Sequence, residues 1–246
     1  MDLSTLSTLT WVALIAAAAL TRLAKTAVPG LASVAAALFA LVLPAKESTG
    51  VMLALLFIGD AIALWAYRRD AVAAVLRLLV PSVLAGVGLG ALLLAVSTQA
   101  QMRRAIGAIF LLLVIVTLTQ RRWGPPHVSQ GRLARAVYGT LAGFTTMAAN
   151  AGGPVTSMYF LASRFSVSEF LGTTAWFFFT VNVIKAPFTI GMGLLRLEHL
   201  PLIALLAPVV LACAWAGRRL AARIPLHIFE PLVVATTIVA TVPLLV

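Results

Sequence analysis

Ten apolar stretches follow one another along this chain, parted by short connections in which arginine recurs. They cover approximately residues 11–28, 31–43, 50–67, 78–96, 105–118, 136–149, 154–161, 172–192, 200–216 and 228–246. So much apolar surface limits the fold before any motif is considered. Of 246 residues, 62% are hydrophobic and 10% charged, against roughly 45–50% and about 25% in an average globular chain. Mean hydropathy is +1.06. Too few polar groups remain to cover a water-facing surface, which excludes a soluble enzyme, a secreted module and a nucleic-acid-binding domain. Inside a bilayer, helices keep each backbone N–H and C=O paired within the segment, and about 20 apolar residues cross the hydrocarbon. The chain therefore reads as an all-α polytopic membrane protein.

The net charge of +11 comes from 18 Lys and Arg against 7 Asp and Glu. The basic residues stand in pairs between apolar stretches rather than in a stripe, so they mark orientation in the membrane, and no nucleic-acid partner is expected. Cys213 is the one cysteine, and His127, His199 and His227 have no ligand spacing. Neither an internal disulfide, a metal nor a cofactor is expected. Met1 to Thr10 carry no Lys or Arg, and Arg22 and Lys25 follow the first apolar core. A cleavable signal has its positive charge first, so an uncleaved segment with its N-terminus outside is expected.

The chain also matches itself. Residues 120–131, QRRWGPPHVSQG, form the one long polar segment. Its Pro125-Pro126 makes a poor helix, so it reads as a cytoplasmic linker between a first repeat, 1–119, and a second, 132–246. At an offset of 125, Thr21 falls on Thr146 and Pro29 on Pro154. At 122, Glu47 falls on Glu169, Gly50 on Gly172 and Asp60 on Asn182; at 127, Pro81 falls on Pro208 and Gly90 on Gly217. Duplicated halves are a transporter signature.

In each half the second stretch is too short to span, and Pro29-Gly30 or Gly152-Gly153-Pro154 interrupts the chain before it. The first two stretches then read as a broken, re-entrant helical hairpin, followed by three full transmembrane helices. Three crossings per half invert the second repeat. Fifteen Lys and Arg lie outside the apolar stretches, and odd crossings place eleven on one side and four on the other. Even crossings would split them eight to seven. Only the odd count gives the cytoplasmic excess that orients membrane proteins, and it puts both termini outside.

The break is also where chemistry is expected. Helix N-termini present unpaired N–H groups that suit anions, glycine lets a ligand approach the backbone, and irregular backbone at depth is tolerated beside a cavity or within protein. The alternative is that Gly152 and Gly153 only turn a hairpin. Lys25 and Thr26 stand at the first break, opposite Asn150 and Ala151 at the second. A charge within an apolar span costs about 2.5–3.5 kcal/mol on insertion scales, so Arg22, Lys25 and Lys185 call for partners or roles; for Arg22, snorkelling to the interface suffices. Asn182 and Lys185 lie one turn apart on one helix face. Asp60, the repeat mate of Asn182, is the deepest acid and is expected to pair with Lys185, whether for ion coupling or for neutralisation. Glu169 closes a capping box, Ser166-x-x-Glu169, with ion coupling as its other reading; Glu47 is its mate. Trp11, Trp65 and Trp123 read as interfacial anchors.

The string at 141–161, LAGFTTMAANAGGPVTSMYFL, followed by EFLGTTAWFFFTVNVIKAPF at 169–188, resembles the TauE/SafE family of membrane proteins, which includes sulfite and organosulfonate exporters. The resemblance covers nearly the whole chain. The first half departs from it, with AKTAVPG where the family has a run of glycines. The resemblance implies a secondary transporter of a small anion, a sulfur oxyanion or organosulfonate, and not an enzyme. The substrate site is expected between the two breaks at Lys25, Thr26, Asn150, Gly152, Gly153, Asn182 and Lys185, with Asp60 and Glu169 for ion coupling. Other readings are an anion channel and an intramembrane enzyme or assembly factor. Expected partners are the small anion, the lipid bilayer and a coupling proton or sodium ion, with a homodimer as an option, in a bacterial inner membrane. The charge split sets the first prediction. In a Cys213→Ser background, an impermeant thiol reagent added outside labels Thr5→Cys and leaves Ser129→Cys untouched. The reverse pattern overturns the inverted topology.

Overall fold

A computed structural model describes residues 7–26, 31–67, 69–123, 131–163 and 165–220. Residues 124–130 of the linker and the last apolar stretch, 228–246, lie outside it. Among the described residues the chain is helical, without strands. In order come α1 (Thr8–Thr26), α2 (Leu31–Val42), α3 (Ala45–Tyr67), α4 (Ala73–Val96), α5 (Gln99–Trp123), α6 (Arg132–Ala149), α7 (Gly152–Ala162), α8 (Val167–Gly191) and α9 (Leu200–Leu220). A single 3-10 turn, Leu197–His199, precedes α9. Ala45–Trp65, Ala73–Val96 and Gln99–Val116 are long and apolar enough to cross a membrane.

The short second stretches are short helices. α2 has 12 residues and α7 has 11, which at about 1.5 Å per residue is roughly half the hydrocarbon thickness. Each packs back on the helix before it, α2 on α1 and α7 on α6. Pro81, Pro187 and Pro208 lie inside α4, α8 and α9, as membrane helices allow where neighbours satisfy the freed backbone groups. Leu89, Leu92 and Val96 on α4, Leu112 on α5 and Val183 and Ile190 on α8 are exposed. Such side chains face lipid at no cost.

Glycine brings α4 and α6 together. Gly86 and Gly90 on α4 face Gly139 and Gly143 on α6, each pair four residues apart and so on one face. A Cβ at Gly86 would run into the Thr140 carbonyl, one at Gly143 into that of Val83, and one at Gly90 into the Met147 side chain. With no Cβ in the way, backbones approach closely; Thr140 Oγ1 donates to the Ser82 carbonyl at 3.2 Å and Ser82 Oγ to that of Arg135 at 3.0 Å. Small-residue faces of this kind replace the hydrophobic drive that lipid removes.

α3 and α8 run antiparallel. Gly50, near the start of α3, packs on the backbone of Leu194 and Leu195 just beyond α8, whereas Gly172, near the start of α8, packs on that of Tyr67, Asp70 and Ala71 just beyond α3. Between these ends the rings of Phe57 and Phe179 meet edge to face at 6.3 Å, and Asn182 bonds Asp60. At one end of the bundle lie Arg69, Arg77, Arg132 and Arg135, held there by contacts such as Val72 N–H to Thr173 Oγ1 at 2.9 Å. At the other, Lys46 N–H donates to Gln99 Oε1 at 3.0 Å, and the turn before α9 brings Arg196 alongside.

The glycine contacts generate a prediction with an internal control. Gly86→Ala or Gly143→Ala forces α4 and α6 apart and lowers stability by about 1–3 kcal/mol, the range for overpacking. Gly88→Ala, at a site with nothing within 4 Å, leaves stability unchanged or raises it slightly. Thermal unfolding of detergent-purified variants, followed by size-exclusion, reads both.

Candidate functional site at the second helix break

α6 ends because Asn150 turns left-handed, at φ 52° and ψ 26°. It is the sole non-glycine residue with positive φ among those described, and Asn tolerates that region far better than most residues. The turn is closed by Asn150 N–H to the Thr146 carbonyl at 3.0 Å and Ala151 N–H to that of Thr145 at 3.1 Å. α7 begins at once with Gly152, Gly153 and Pro154. A Cβ at Gly152 would press on Thr146 and the Ala142 carbonyl, so the reversal needs glycine there. Two helix ends thus meet at the break: the carbonyl end of α6 and the N–H end of α7.

Lys185 of α8 reaches the carbonyl end. Its Nζ donates to the Thr146 carbonyl at 2.6 Å and to Asn150 Oδ1 at 2.5 Å. A helix C-terminus carries partial negative charge and favours a cation, which offsets part of the cost of burying the ammonium. That burial is nearly complete, at 2% exposure. Asn150 uses the other end of its amide as well, donating from Nδ2 to the Thr49 carbonyl of α3 at 3.0 Å. One side chain therefore ties the break to a helix from each half of the sequence.

One turn back along α8, Asn182 Nδ2 donates to Asp60 Oδ2 at 2.6 Å. Both residues are 1% exposed. Sequence reasoning expected Asp60 and Lys185 to seek each other. Asp60 meets α8 at Asn182, one turn from Lys185, whose ammonium has Thr146 and Asn150 among its partners. Asn150, Gly152, Asn182, Lys185 and Asp60 gather at the contact of α3, α6, α7 and α8. The side chains of Lys25 and Thr26, at the end of α1, lie outside the described residues, and so does that of Arg22.

Glu169 stands apart, in the first turn of α8. Ser166 Oγ accepts from Glu169 N–H at 3.3 Å, and Glu169 Oε2 accepts from Ser166 N–H at 2.9 Å and from its hydroxyl at 2.8 Å, the reciprocal geometry of a capping box. The Ser166 backbone N–H first, and its hydroxyl second, hold the Glu169 carboxyl below the usual carboxylate range.

Sequence reasoning missed a pair. His199 is buried, and its Nε2 lies 3.3 Å from Glu47 Oε2. Because Nδ1 accepts from Arg196 N–H at 3.2 Å, the neutral ring carries its proton on Nε2 and donates it to Glu47. The two residues are 152 apart in sequence, and no local spacing announces them.

Chemically, the arrangement holds one ammonium, that of Lys185, buried against a helix end and an amide. Asn150→Gly keeps the left-handed turn but removes the acceptor for the ammonium, a loss of about 1.5–3 kcal/mol for a bond to a charged group. Asn150→Leu adds backbone strain of about 1–3 kcal/mol and unfolds at a lower temperature still. Equal melting of the two variants would show that the turn does not require its conformation.

The sequence profile of the sulfite exporter TauE/SafE family matches residues 14–244, which takes in both breaks, most of α1 and all of α2 to α9. No curated protein and no solved structure matches the chain.

Proposed function

Because the chain belongs to the sulfite exporter TauE/SafE family, a family of membrane transporters, we propose that it is a secondary transporter of a small anion, with a sulfur oxyanion or an organosulfonate as the substrate class. The observation that carries this reading is the buried Lys185 ammonium at the break. Two of its partners are a carbonyl oxygen and an amide oxygen, both neutral and both weaker acceptors than an anion. An anion arriving between the ammonium and the N–H groups of Gly152 and Gly153 replaces them. Lys25 and Thr26 of the first break complete the site from the other half. Asn182 lies behind Lys185 and holds Asp60, the coupling group for a proton or a sodium ion. Glu169 is engaged in its cap and leaves that role to Asp60.

Two inverted repeats, divided by residues 120–131, fit the packing. The contacts Phe57–Phe179 and Asp60–Asn182 each join residues 122 apart, the offset by which the halves match. Repeat mates can touch only at the axis that relates them. Since α3 and α8 are antiparallel, that axis lies across the helices, in the membrane plane, as it does in inverted-repeat transporters. Gly50 on Leu194 and Gly172 on Asp70 repeat the same contact on either side of it. Pro81 and Pro208 also sit at equal distances from the starts of α4 and α9. Burial of Lys185 and Asp60 favours a carrier that closes around its substrate over an open channel.

Purified protein in liposomes, loaded in turn with sulfite, sulfonates and carboxylates, tests the reading. Uptake of a sulfur anion is expected. Lys185→Met and Lys25→Ala each weaken anion binding about tenfold to a hundredfold, as loss of a charge-assisted bond does. Wild-type affinity in both variants at normal expression would leave the breaks with a structural role alone.

A further inference from the structure

Asn182 is bonded at one end only. Its Nδ2 donates to Asp60, while its Oδ1, buried with the rest of the side chain, has no hydrogen-bond partner among the described residues. A buried acceptor left without a donor is costly, and buried side-chain polar atoms are nearly always satisfied. The two ends of an amide have almost the same shape, so a half-turn about its last bond exchanges oxygen for nitrogen without moving the helix. A donor becomes available to the oxygen when the neighbouring carboxyl carries a proton.

We propose that Asp60 and Asn182 form the proton site of the transport cycle, with Asn182 as the positioning residue that turns its amide over to serve both states of the acid. The inference rests on the transport reading above and adds the identity of the coupling ion. With Asp60 ionised, Asn182 gives Nδ2–H to the carboxylate, as the structure shows. A proton arriving from one aqueous side converts the carboxylate to the acid, and the amide turns so that the new O–H donates to Asn182 Oδ1. Departure of that proton to the other side reverses both steps, and no other group is consumed. One carboxylate and one amide oxygen suffice for a proton and fall well short of the six or more oxygens that a hard metal ion takes.

Position makes the pair suited to the task. Lying on the axis between the two halves, it occupies the same place whichever side is open. Titratable groups come to it from several helices. Of the elements packed on α3, α8 contributes the Lys185 ammonium one turn away, and α2 carries no titratable residue. α6 contributes Arg132, Arg135 and Tyr138, α5 Arg103, Arg104, Arg121 and Arg122, and α8 also Glu169, all nearer the helix ends. α9 contributes Cys213, and it carries Arg218 and Arg219 as α1 carries Arg22 and Lys25, with side chains outside the described residues. Asn182 bonds the carboxyl directly, and its removal leaves these other charges in place.

Infrared difference spectra of the full chain in lipid read the pair directly. Acidification is expected to raise the C=O band of a buried carboxylic acid in the wild type and to raise none in Asp60→Asn. In Asn182→Leu the band persists but moves to higher frequency, because the acid O–H has lost its acceptor. Asn182→Ser, whose hydroxyl both gives and accepts, moves the band back toward its wild-type position, although the smaller side chain packs less well. In liposomes, uptake driven by a pH gradient is lost in Asp60→Asn and falls about tenfold or more in Asn182→Leu, in keeping with the loss of a bond to a charged group. Absence of any band that depends on Asp60, or an unshifted band in Asn182→Leu, overturns the proposal. The band changes without any anion flux would sink the transport reading and leave the proton site standing; anion flux without the band does the opposite.

Discussion

A lysine ammonium with 2% exposure is the feature on which the rest of this architecture turns. An isolated ammonium in such a place costs far more than a domain can spare, so the fold has to bring acceptors to it. Those acceptors are available because α6 stops in the interior, where the Thr146 carbonyl accepts from the ammonium as well as from Asn150 N–H and the Asn150 amide oxygen stands beside it. α6 stops because Asn150 accepts a left-handed turn and because Gly152 lets α7 double back against Thr146. The break, the buried cation and the short α7 are one interlocked solution, and altering any member exposes the others.

That solution requires close packing around it. The glycine faces of α4 and α6 draw those helices into backbone contact, which fixes the depth at which α6 ends. Gly50 and Gly172 do the same for α3 and α8 at their two ends, leaving Asp60 opposite Asn182 between them. In lipid, where apolar burial between helices contributes little, steric fit and buried hydrogen bonds supply the cohesion. Polar side chains such as Asn150 are then connecting elements of the fold.

The periphery shows the same chemistry used for different ends. Glu169 and Glu47 match at the 122-residue offset, yet their carboxylates are engaged differently. Glu169 caps its own helix through Ser166, a partner three residues away that the sequence advertises. Glu47 meets His199, a partner from the other half of the chain. Local hydrogen bonding is legible in a window of four residues, whereas a contact across 152 positions depends on how the loop before α9 folds over the start of α3.

The sequence by itself determined that the chain is helical and built for a membrane, since 62% hydrophobic residues leave no other environment for it. It also determined where the second helix breaks and that Asn182 and Lys185 share a face, because glycine, proline and the 3.6-residue turn act locally. The matching of the halves was visible as offsets, and the family resemblance rested on the same strings. Only the tertiary structure decided what those residues touch. Asp60 and Lys185 carry opposite charges, which suggests a pair, but helical spacing says nothing of the other neighbours they reach, Asn182 for Asp60 and Thr146 and Asn150 for Lys185. The carbonyl end of α6 is a partner without any side-chain signature, so nothing in the sequence could nominate it for Lys185. The glycines of α4 and α6 likewise look dispensable until a second backbone lies against them. Residue types and spacings set what each segment can do; the approach of one backbone to another set which of those capacities is used.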